Sequence, residues 1–224
     1  MSLVKELSFE VPLMGSVSAI LNQPDEALGL YVLGHGDGSN IHIPFLVELS
    51  KALENRSVAT LRFEYPYSDK QDFVPFTDMP TDPDVILIET VRSALNRATQ
   101  LAPETPLFVG GHSLSARMAT EADAKDSLPA KAIISLGFPR KGDPSRTTHL
   151  DRTTLPILFI QGTKDSLGTK DEIRDMANTL GKRATVKWIN GATHGFKVEG
   201  AEDCDVIYEI AKIISDYIVT KAYL

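Results

Sequence analysis

Short apolar runs alternate with longer segments of helical period along most of the chain. The runs are rich in valine, isoleucine, leucine and phenylalanine, and glycine, proline or polar residues bound them. They predict buried strands at Leu28–Leu33, Val58–Phe63, Pro106–Val109, Ala132–Leu136, Pro156–Ile160 and Thr185–Ile189. Strands that helices cover on both faces need such continuous apolarity. The pattern therefore indicates βα units around a mostly parallel, doubly wound sheet, which is an α/β fold.

The first part of the chain follows a different pattern. Two stretches, roughly Glu6–Leu13 and Ser16–Leu21, alternate between apolar and polar residues, and Met14-Gly15 separates them. Such alternation is typical of strands with one buried face, and two of them joined by a short turn predict a β-hairpin. We therefore expect the sheet to begin with an N-terminal antiparallel hairpin.

Helices are predicted between the strands, because apolar residues recur there every three or four positions and so share one face. The C-terminal segment shows the broadest stripe: Val206, Ile207, Ile210, Ile213, Ile214, Tyr217 and Ile218. Three connections, 64–80, 138–154 and 191–203, are longer than βα units need. Long irregular loops in a compact domain tend to carry function.

Composition and charge narrow the classes of function. The chain has 224 residues, 42% of them hydrophobic and 24% charged, so residues 1–224 are expected to form one globular domain. Its formal charge is −7 and no lysine/arginine stripe is visible, so nucleic acid is not an expected partner. No apolar run approaches the roughly 20 residues of a membrane span, so no membrane interaction is expected. No secretory signal is visible either, and a cytoplasmic location is expected.

Metal and disulfide chemistry are not expected from this sequence. Cys204 is the only cysteine, so neither an intrachain disulfide nor a cysteine-based zinc site is possible. The five histidines are scattered, and no His-Glu-x-x-His motif occurs. We therefore predict a site that works without a metal or an organic cofactor.

The sharpest chemical signal is the segment Leu107–Met118. An apolar strand ends at Gly110-Gly111, a serine follows at position 113, and a helical pattern begins directly afterwards. This is the context of a nucleophile elbow, Gly-x-Ser-x-Gly, whose strained turn lifts the serine hydroxyl above the sheet. Ser115 stands here in place of the last glycine, which keeps a small residue where strand and helix approach closely. A plain N-cap serine is the alternative interpretation.

A serine hydroxyl needs a base to remove its proton, and that base needs an acid to orient it. Both should follow later strands, in the order serine, acid, histidine. Asp165 follows Pro156–Ile160 and His194 follows Thr185–Ile189, each a few residues after the strand. Ser113, Asp165 and His194 are thus predicted to be nucleophile, acid and base.

The negative charge of a tetrahedral intermediate requires backbone N–H donors. One should come from the residue after the nucleophile, Leu114, and the other from the loop after an earlier strand. The glycine-rich segment 34–39 fits the second role, with Asp37 or Gly36 as the donor. A dinucleotide fingerprint is the competing interpretation of this segment, but Ser39 stands where its third glycine belongs.

Taken together, these segments resemble the α/β-hydrolase superfamily. More narrowly, the chain is similar to its small members without a lid, the dienelactone-hydrolase-like proteins and the "testis-expressed" group related to NSL-complex subunit 3. The residues that carry the likeness are His35-Gly36, Arg62–Tyr67, Gly110–Ser113, Arg117, Phe138-Pro139, Arg146–Leu150, Gln161–Asp165 and Thr193-His194. The resemblance implies an α/β-hydrolase fold without a helical lid and the same three catalytic residues.

The chain departs from these relatives at two positions. Dienelactone hydrolases use a cysteine nucleophile, whereas Cys204 lies at the start of the last predicted helix and cannot take that role. His112 precedes the serine where the "testis-expressed" group often has a basic residue, and we expect it to be structural. The likeness therefore supports the fold and the triad better than it supports one reaction.

Several basic residues are candidates for substrate binding. Arg117 lies one turn into the helix after Ser113, and Arg146 and His149 lie in the connection 138–154, where larger relatives insert a lid. Each has a structural alternative: an ion pair of Arg117 with Glu64 or another acid, and a solvated loop for the others.

The expected function is that of a carboxylesterase-type serine hydrolase acting on a small-molecule, ester-like substrate. A thioesterase or a lactone or dienelactone-type hydrolase would use the same chemistry. A catalytically silent interaction module on the same fold is the alternative outside enzymes.

Overall fold

Residues 3–69, 83–141 and 144–223 are described by the computed structural model, and their strands form an eight-stranded sheet. The strands are β1 (Leu3–Val11), β2 (Gly15–Gln23), β3 (Gly29–Gly34), β4 (Val58–Phe63), β5 (Leu107–His112), β6 (Ala132–Leu136), β7 (Ile157–Gly162) and β8 (Ala184–Ile189). The helices are α1 (Pro44–Glu54), the single turn α2 (Pro66–Asp69), α3 (Pro83–Leu101), α4 (Leu114–Lys125), α5 (Lys170–Leu180) and α6 (Asp203–Ala222).

The strand order is β1-β2-β4-β3-β5-β6-β7-β8. β1 pairs antiparallel with β2, with Val11 opposite Gly15, and β2 pairs antiparallel with β4. The remaining neighbouring pairs, β4–β3, β3–β5, β5–β6, β6–β7 and β7–β8, are all parallel. The predicted hairpin and the predicted parallel sheet are both confirmed.

Helices cover both faces of the sheet. On one face α1 and α6 pack over the strands, and buried leucines of α1 meet the isoleucine stripe of α6. On the other face α3, α4 and α5 form a second core with Ile86, Met118 and Ile173. Strands β3, β4, β6 and β7 are buried at every position. This double burial is the physical reason why their sequences are continuously apolar.

The long connections differ in how far the structure describes them. The connection 64–80 contains α2, but its residues 70–80 lie outside the described residues. In the connection 138–154 the described part forms two 3₁₀ turns, Pro144–Thr147 and Leu150–Arg152, and no lid helix is present in that part. The described helices include none that is long and apolar enough to cross a membrane.

Candidate active site

The three residues of the predicted triad lie at one edge of the sheet. Ser113 directly follows β5, Asp165 follows β7, and His194 follows β8. The strands β5, β6, β7 and β8 are neighbours and run parallel, so their carboxyl ends meet at this edge. The topology therefore brings together side chains that are up to 81 positions apart in sequence.

Ser113 has the backbone of a strained turn. Its φ is 52° and its ψ is −107°, a conformation that residues with a Cβ rarely adopt. It occupies the N-cap position of α4, but its side chain makes no capping hydrogen bond, which argues against the simple N-cap alternative. Two glycines allow the strand to reach this turn. A Cβ at Gly110 would lie 2.0 Å from the Ile134 carbonyl oxygen, and one at Gly111 would lie 2.2 Å from the Gly34 carbonyl oxygen.

A continuous chain of hydrogen bonds joins the three side chains. His194 Nε2 lies 2.9 Å from Ser113 Oγ, and His194 Nδ1 lies 2.9 Å from Asp165 Oδ2. Because a carboxylate only accepts, Nδ1 carries a proton and Nε2 is left free to accept the serine proton. The Asp165 side chain is fully buried and that of His194 is 19% exposed, so the imidazole borders solvent.

The Asp165 carboxylate has further hydrogen-bond partners that the sequence did not indicate. Gln161 Nε2 donates to Asp165 Oδ2 at 2.7 Å, and the Leu167 backbone N–H donates to Asp165 Oδ1 at 2.7 Å. Gln161 also accepts from the Phe138 N–H at 2.8 Å, so it joins the acid to the connection after β6. The only feature of the sequence that marked Gln161 is that it is a polar residue at the end of an otherwise apolar strand.

The glycine-rich loop after β3 passes beside the serine. A Cβ at Gly36 would lie 3.4 Å from Ser113 Cβ and 2.9 Å from His112 Nδ1, so the backbone approaches both residues closely. Leu114 is the first residue of α4, and a first N–H has no acceptor within its own helix. Asp37 is exposed in the turn that follows Gly36. These are the residues predicted to donate to an oxyanion.

His112 contacts the loop that carries His194. Its Nε2 lies 2.9 Å from the His194 carbonyl oxygen, and the two imidazole centroids are 5.0 Å apart. Burial lowers the pKa of His112 to about 4, although the hydrogen bond to the carbonyl opposes this shift. A neutral His112 therefore donates through Nε2 and anchors the His194 backbone.

Ser115, which replaces the usual elbow glycine, is fully buried. Its Oγ donates to the His35 carbonyl oxygen at 2.6 Å and lies 3.0 Å from the Tyr65 hydroxyl. A Cβ at Gly34 would lie 2.2 Å from this oxygen, so the serine fills the space that Gly34 leaves. Sequence reasoning accepted Ser115 as a small residue but missed this hydrogen-bonding role.

Replacing Ser115 with glycine should destabilise the protein although it restores the common motif. The variant leaves the buried Tyr65 hydroxyl without its partner, which costs about 1–3 kcal/mol, and glycine in a helix costs about 0.5 kcal/mol more than serine. Urea unfolding should show a free energy of unfolding lower by about 1.5–3.5 kcal/mol. The double variant Ser115→Gly with Tyr65→Phe should recover part of the loss, since it removes the unpaired hydroxyl. Equal stability of Ser115→Gly and the wild type would contradict this role.

The three candidate substrate-binding residues line one cavity. Arg117, Arg146 and His149 share a polar space of about 450 Å³ along the outer side of α4. Arg117 is paired with Asp84, at 3.2 Å and 3.3 Å, and with Glu121, at 2.7 Å. The expected ion pair thus forms with these acids and not with Glu64. Glu64 Oε2 instead lies 3.0 Å from His35 Nε2.

His149 is buried against α4, and its Nε2 lies 2.7 Å from the Thr120 hydroxyl. Burial, together with the positive charges of Arg117 and Arg152, lowers its pKa to about 4. His149 is therefore neutral near pH 7 and contributes polarity to the cavity without adding a charge.

The free energy of unfolding should fall as the pH drops from 6.5 towards 4. Unfolded histidines bind protons in this range while His112 and His149 in the folded protein do not, so the unfolded state gains stability. Each histidine should contribute about 2 kcal/mol between pH 7 and pH 5. Urea unfolding of His149→Gln should show a shallower pH dependence than the wild type, whereas His42→Gln, at an exposed position, should follow the wild type. Parallel curves for His149→Gln and the wild type would refute the prediction.

Across the described parts of the chain, no group of three or more histidine, cysteine, aspartate or glutamate side chains is placed to hold a metal ion. Cys204 is exposed and lies in the first turn of α6.

A strained serine lies between β5 and α4 and contacts a histidine that follows the last strand. A family model described as an alpha/beta hydrolase domain matches residues 28–219. The chain belongs to the alpha/beta hydrolases. The matched region begins at the third strand and includes Ser113, Asp165 and His194.

Solved structures of several hydrolases share this fold. A dienelactone hydrolase from Anabaena variabilis has a TM-score of 0.82 and 19% identity, over 98% of each chain. An α/β serine hydrolase without a lid from Xanthomonas campestris has a TM-score of 0.75 and 17% identity, over 97% of this chain and 94% of that one. A cold-adapted esterase from an Arctic intertidal metagenomic library has a TM-score of 0.72 and 17% identity, over 95% and 93%. At these identities the likeness concerns the fold.

Proposed function

We propose that this alpha/beta hydrolase is a serine hydrolase of the carboxylesterase type, with a small-molecule ester as its substrate. The observation that carries the proposal is the unbroken hydrogen-bonded chain from Ser113 through His194 to Asp165 at the exposed edge of the sheet. Nucleophilic catalysis needs a base within hydrogen-bonding reach of the nucleophile and a third group that orients the base. The two distances of 2.9 Å, from His194 Nε2 to Ser113 Oγ and from His194 Nδ1 to Asp165 Oδ2, are consistent with both requirements.

The proposed reaction has two halves. His194 Nε2 takes the proton of Ser113 Oγ as this oxygen attacks the ester carbonyl, and the same proton then passes to the departing alcohol. The acyl group remains on Ser113. A water molecule, deprotonated by His194, then attacks the acyl-enzyme, and the carboxylic acid leaves while the serine regains its proton. Asp165 keeps the imidazole in the required tautomer throughout.

Two backbone donors would hold the oxyanion of each tetrahedral intermediate. We assign one to the Leu114 N–H and the other to the loop at Gly36 and Asp37. The close approach of Gly36 to Ser113 supports this assignment. Each such donor typically lowers the barrier by about 3 kcal/mol.

The polar cavity beside α4 could receive another part of the substrate. We propose that Arg117, Arg146 and His149 contact polar groups there, and their shared cavity supports this assignment. Asp84 and Glu121 already pair with Arg117, so the positive charge of Arg117 in this cavity is largely compensated.

The narrower resemblance is also part of the proposal. The motifs Gly110–Ser113 and Arg146–Leu150 are similar to those of the "testis-expressed" group related to NSL-complex subunit 3, although His112 departs from its pattern, and we propose that the chain lies close to that group. We likewise propose that residues 1–224 form one domain. Thioesters and lactones are attacked by the same nucleophile, so a substrate panel must include them.

Covalent labelling tests the proposed nucleophile. The wild type should react with an alkyl fluorophosphonate, peptide mapping should place the adduct on Ser113, and Ser113→Ala should not be labelled. Ser115→Ala is a matched control, because its hydroxyl lies two positions away but is fully buried; it should still be labelled at Ser113. Equal labelling of the wild type and Ser113→Ala would overturn the proposal.

A further inference from the structure

A second cavity lies beside the loop that carries His194. It has a volume of about 260 Å³ and is lined mainly by apolar residues from the start of α1, the loop after β8 and the start of α6. The apolar walls are Ile43, Pro44, Phe45, Phe196 and Ile207. The triad described above does not use any of these side chains.

Aromatic contacts connect this cavity to the reacting groups. Phe45 and Phe196 stack with ring centroids 5.3 Å apart and an interplanar angle of 9°. The Phe45 ring lies 5.7 Å from that of His112, which in turn lies 5.0 Å from that of His194. Two successive ring contacts, Phe45 with His112 and His112 with His194, therefore connect the cavity wall to the His194 imidazole.

Phe196 holds a backbone conformation that is unusual for a bulky residue. Its φ is 57°, in the left-handed region, and its ring is nevertheless buried. The Phe196 N–H donates to the Thr193 carbonyl at 3.0 Å, and the Thr193 N–H donates to the Lys197 carbonyl at 3.0 Å. This tight turn fixes the aromatic wall directly after His194, and strained residues of this kind cluster at binding sites.

The charges at the cavity favour a neutral occupant. Its charged lining residues are Glu48, Lys197 and Asp203, and Lys197 forms an ion pair with Asp203. Glu48 pairs with Lys51 on the surface of α1. No uncompensated cation is thus present in this lining to attract an anion. A cavity on the order of 150 Å³ can bind benzene, so the space suits one substituted ring or a short alkyl chain.

The chemistry of the proposed reaction tells which part of the ester would lie here. When the acyl carbon–oxygen bond breaks, His194 must pass its proton to the departing alcohol oxygen, so the alcohol lies on the histidine side of the reacting carbon. Gly195 and Phe196 follow His194 directly and form part of the cavity. Resting on the proposed function, we propose that this cavity binds a neutral, apolar alcohol group of the ester, such as an aromatic or short alkyl ring or chain.

Gly195 offers a way to fill the cavity without disturbing the fold. A Cβ built on it meets no atom within 4 Å, and its φ lies outside the left-handed region. Gly195 lines the cavity at an exposed position, so Gly195→Leu should fold normally and add a bulky side chain at the rim of the space for the alcohol. Glu199→Leu is the matched control, because it adds a leucine at an exposed position of the same loop that does not line the cavity.

The test compares two series of esters. In one series the acid is acetate and the alcohol is ethanol, butanol or benzyl alcohol; in the other the alcohol is ethanol and the acid lengthens from acetate to hexanoate. We expect wild-type kcat/KM to rise at least tenfold from ethyl to benzyl acetate, since each buried methylene contributes about fourfold. Gly195→Leu should abolish this preference without changing the order of the acyl series, and Glu199→Leu should retain the wild-type pattern.

Two results would overturn the inference while the proposed function stands. One is a wild type that is labelled at Ser113 and cleaves esters, but whose kcat/KM does not depend on the alcohol. The other is a Gly195→Leu variant that changes selectivity in the acyl series instead of the alcohol series. If Ser113 is not labelled and no ester of either series is cleaved, the proposed function fails, and the inference fails with it.

Discussion

Replacing His194 with alanine should lower kcat for ester hydrolysis by about 10⁶-fold. His194 Nε2 is 2.9 Å from Ser113 Oγ, and within the described residues no other imidazole is hydrogen-bonded to this oxygen. Without it the serine proton has no acceptor, and the departing alcohol has no donor. The rate of a p-nitrophenyl ester, followed at saturating substrate, measures the effect.

Ser113 and His194 should also act as a unit. If they form one catalytic device, the double variant Ser113→Ala with His194→Ala should be no slower than either single variant, because removing one member already removes the device. His42→Ala is the control, since this exposed histidine lies in the loop before α1 and does not contact the triad. Losses that multiply in the double variant would show that the two side chains act separately.

Much of the fold could be predicted because double burial constrains sequence strongly. All eight strands occur within a few residues of their predicted positions, and the predicted and observed bounds differ only at strand ends. β1 is the clearest example: it begins at Leu3 instead of Glu6, because an edge strand with exposed Leu3 and Val4 has no continuous apolar pattern to mark its start. The single turn α2 was missed, since four residues are too short for a helical period.

The order of the strands along the sheet could not be derived from periodicity. β4 lies between β2 and β3, so it pairs antiparallel on one side and parallel on the other. Its sequence, Val58–Phe63, is continuously apolar apart from Thr60 and Arg62, as a strand buried on both faces requires. Such a pattern reports burial and carries no information about which strand is the neighbour.

In the candidate site, too, some features could be predicted from the sequence and others could not. The positions of Ser113, Asp165 and His194 after the predicted strands β5, β7 and β8 were visible in the sequence, because a catalytic edge requires each of them at a strand's carboxyl end. Their supporting residues were not visible, because Gln161 and Ser115 act through distances that only the folded chain defines. The partners of Arg117 illustrate this: Asp84 lies 33 positions away, at the start of α3. Long-range polar pairs leave no periodic signal in a single sequence.

Replacing Asp165 with asparagine should lower kcat by about 10⁴-fold, the loss that a wrong histidine tautomer causes in this type of triad. Asp165 Oδ2 accepts from His194 Nδ1 and Gln161 Nε2, and Oδ1 accepts from the Leu167 N–H. An amide has one oxygen and one NH₂ group, so it cannot accept all three bonds. If its oxygen faces Leu167, the NH₂ donates to His194 Nδ1, the imidazole proton moves to Nε2, and His194 can no longer accept the serine proton.

Both orientations of the amide should lower stability, and kcat distinguishes them. With the oxygen facing Leu167, the NH₂ faces the Gln161 Nε2 donor, and with the oxygen facing His194 it faces the Leu167 N–H, so either orientation leaves two buried donors opposed at a cost of about 1–3 kcal/mol. A fall in the free energy of unfolding with a 10⁴-fold loss of kcat indicates the first orientation, and the same fall with kcat largely kept indicates the second. Asp171→Asn is the matched control, because its side chain is 87% exposed on α5, and it should change neither quantity. An Asp165→Asn variant whose kcat stays within tenfold of the wild type, with no fall in the free energy of unfolding, would show that Asp165 does not set the tautomer of His194.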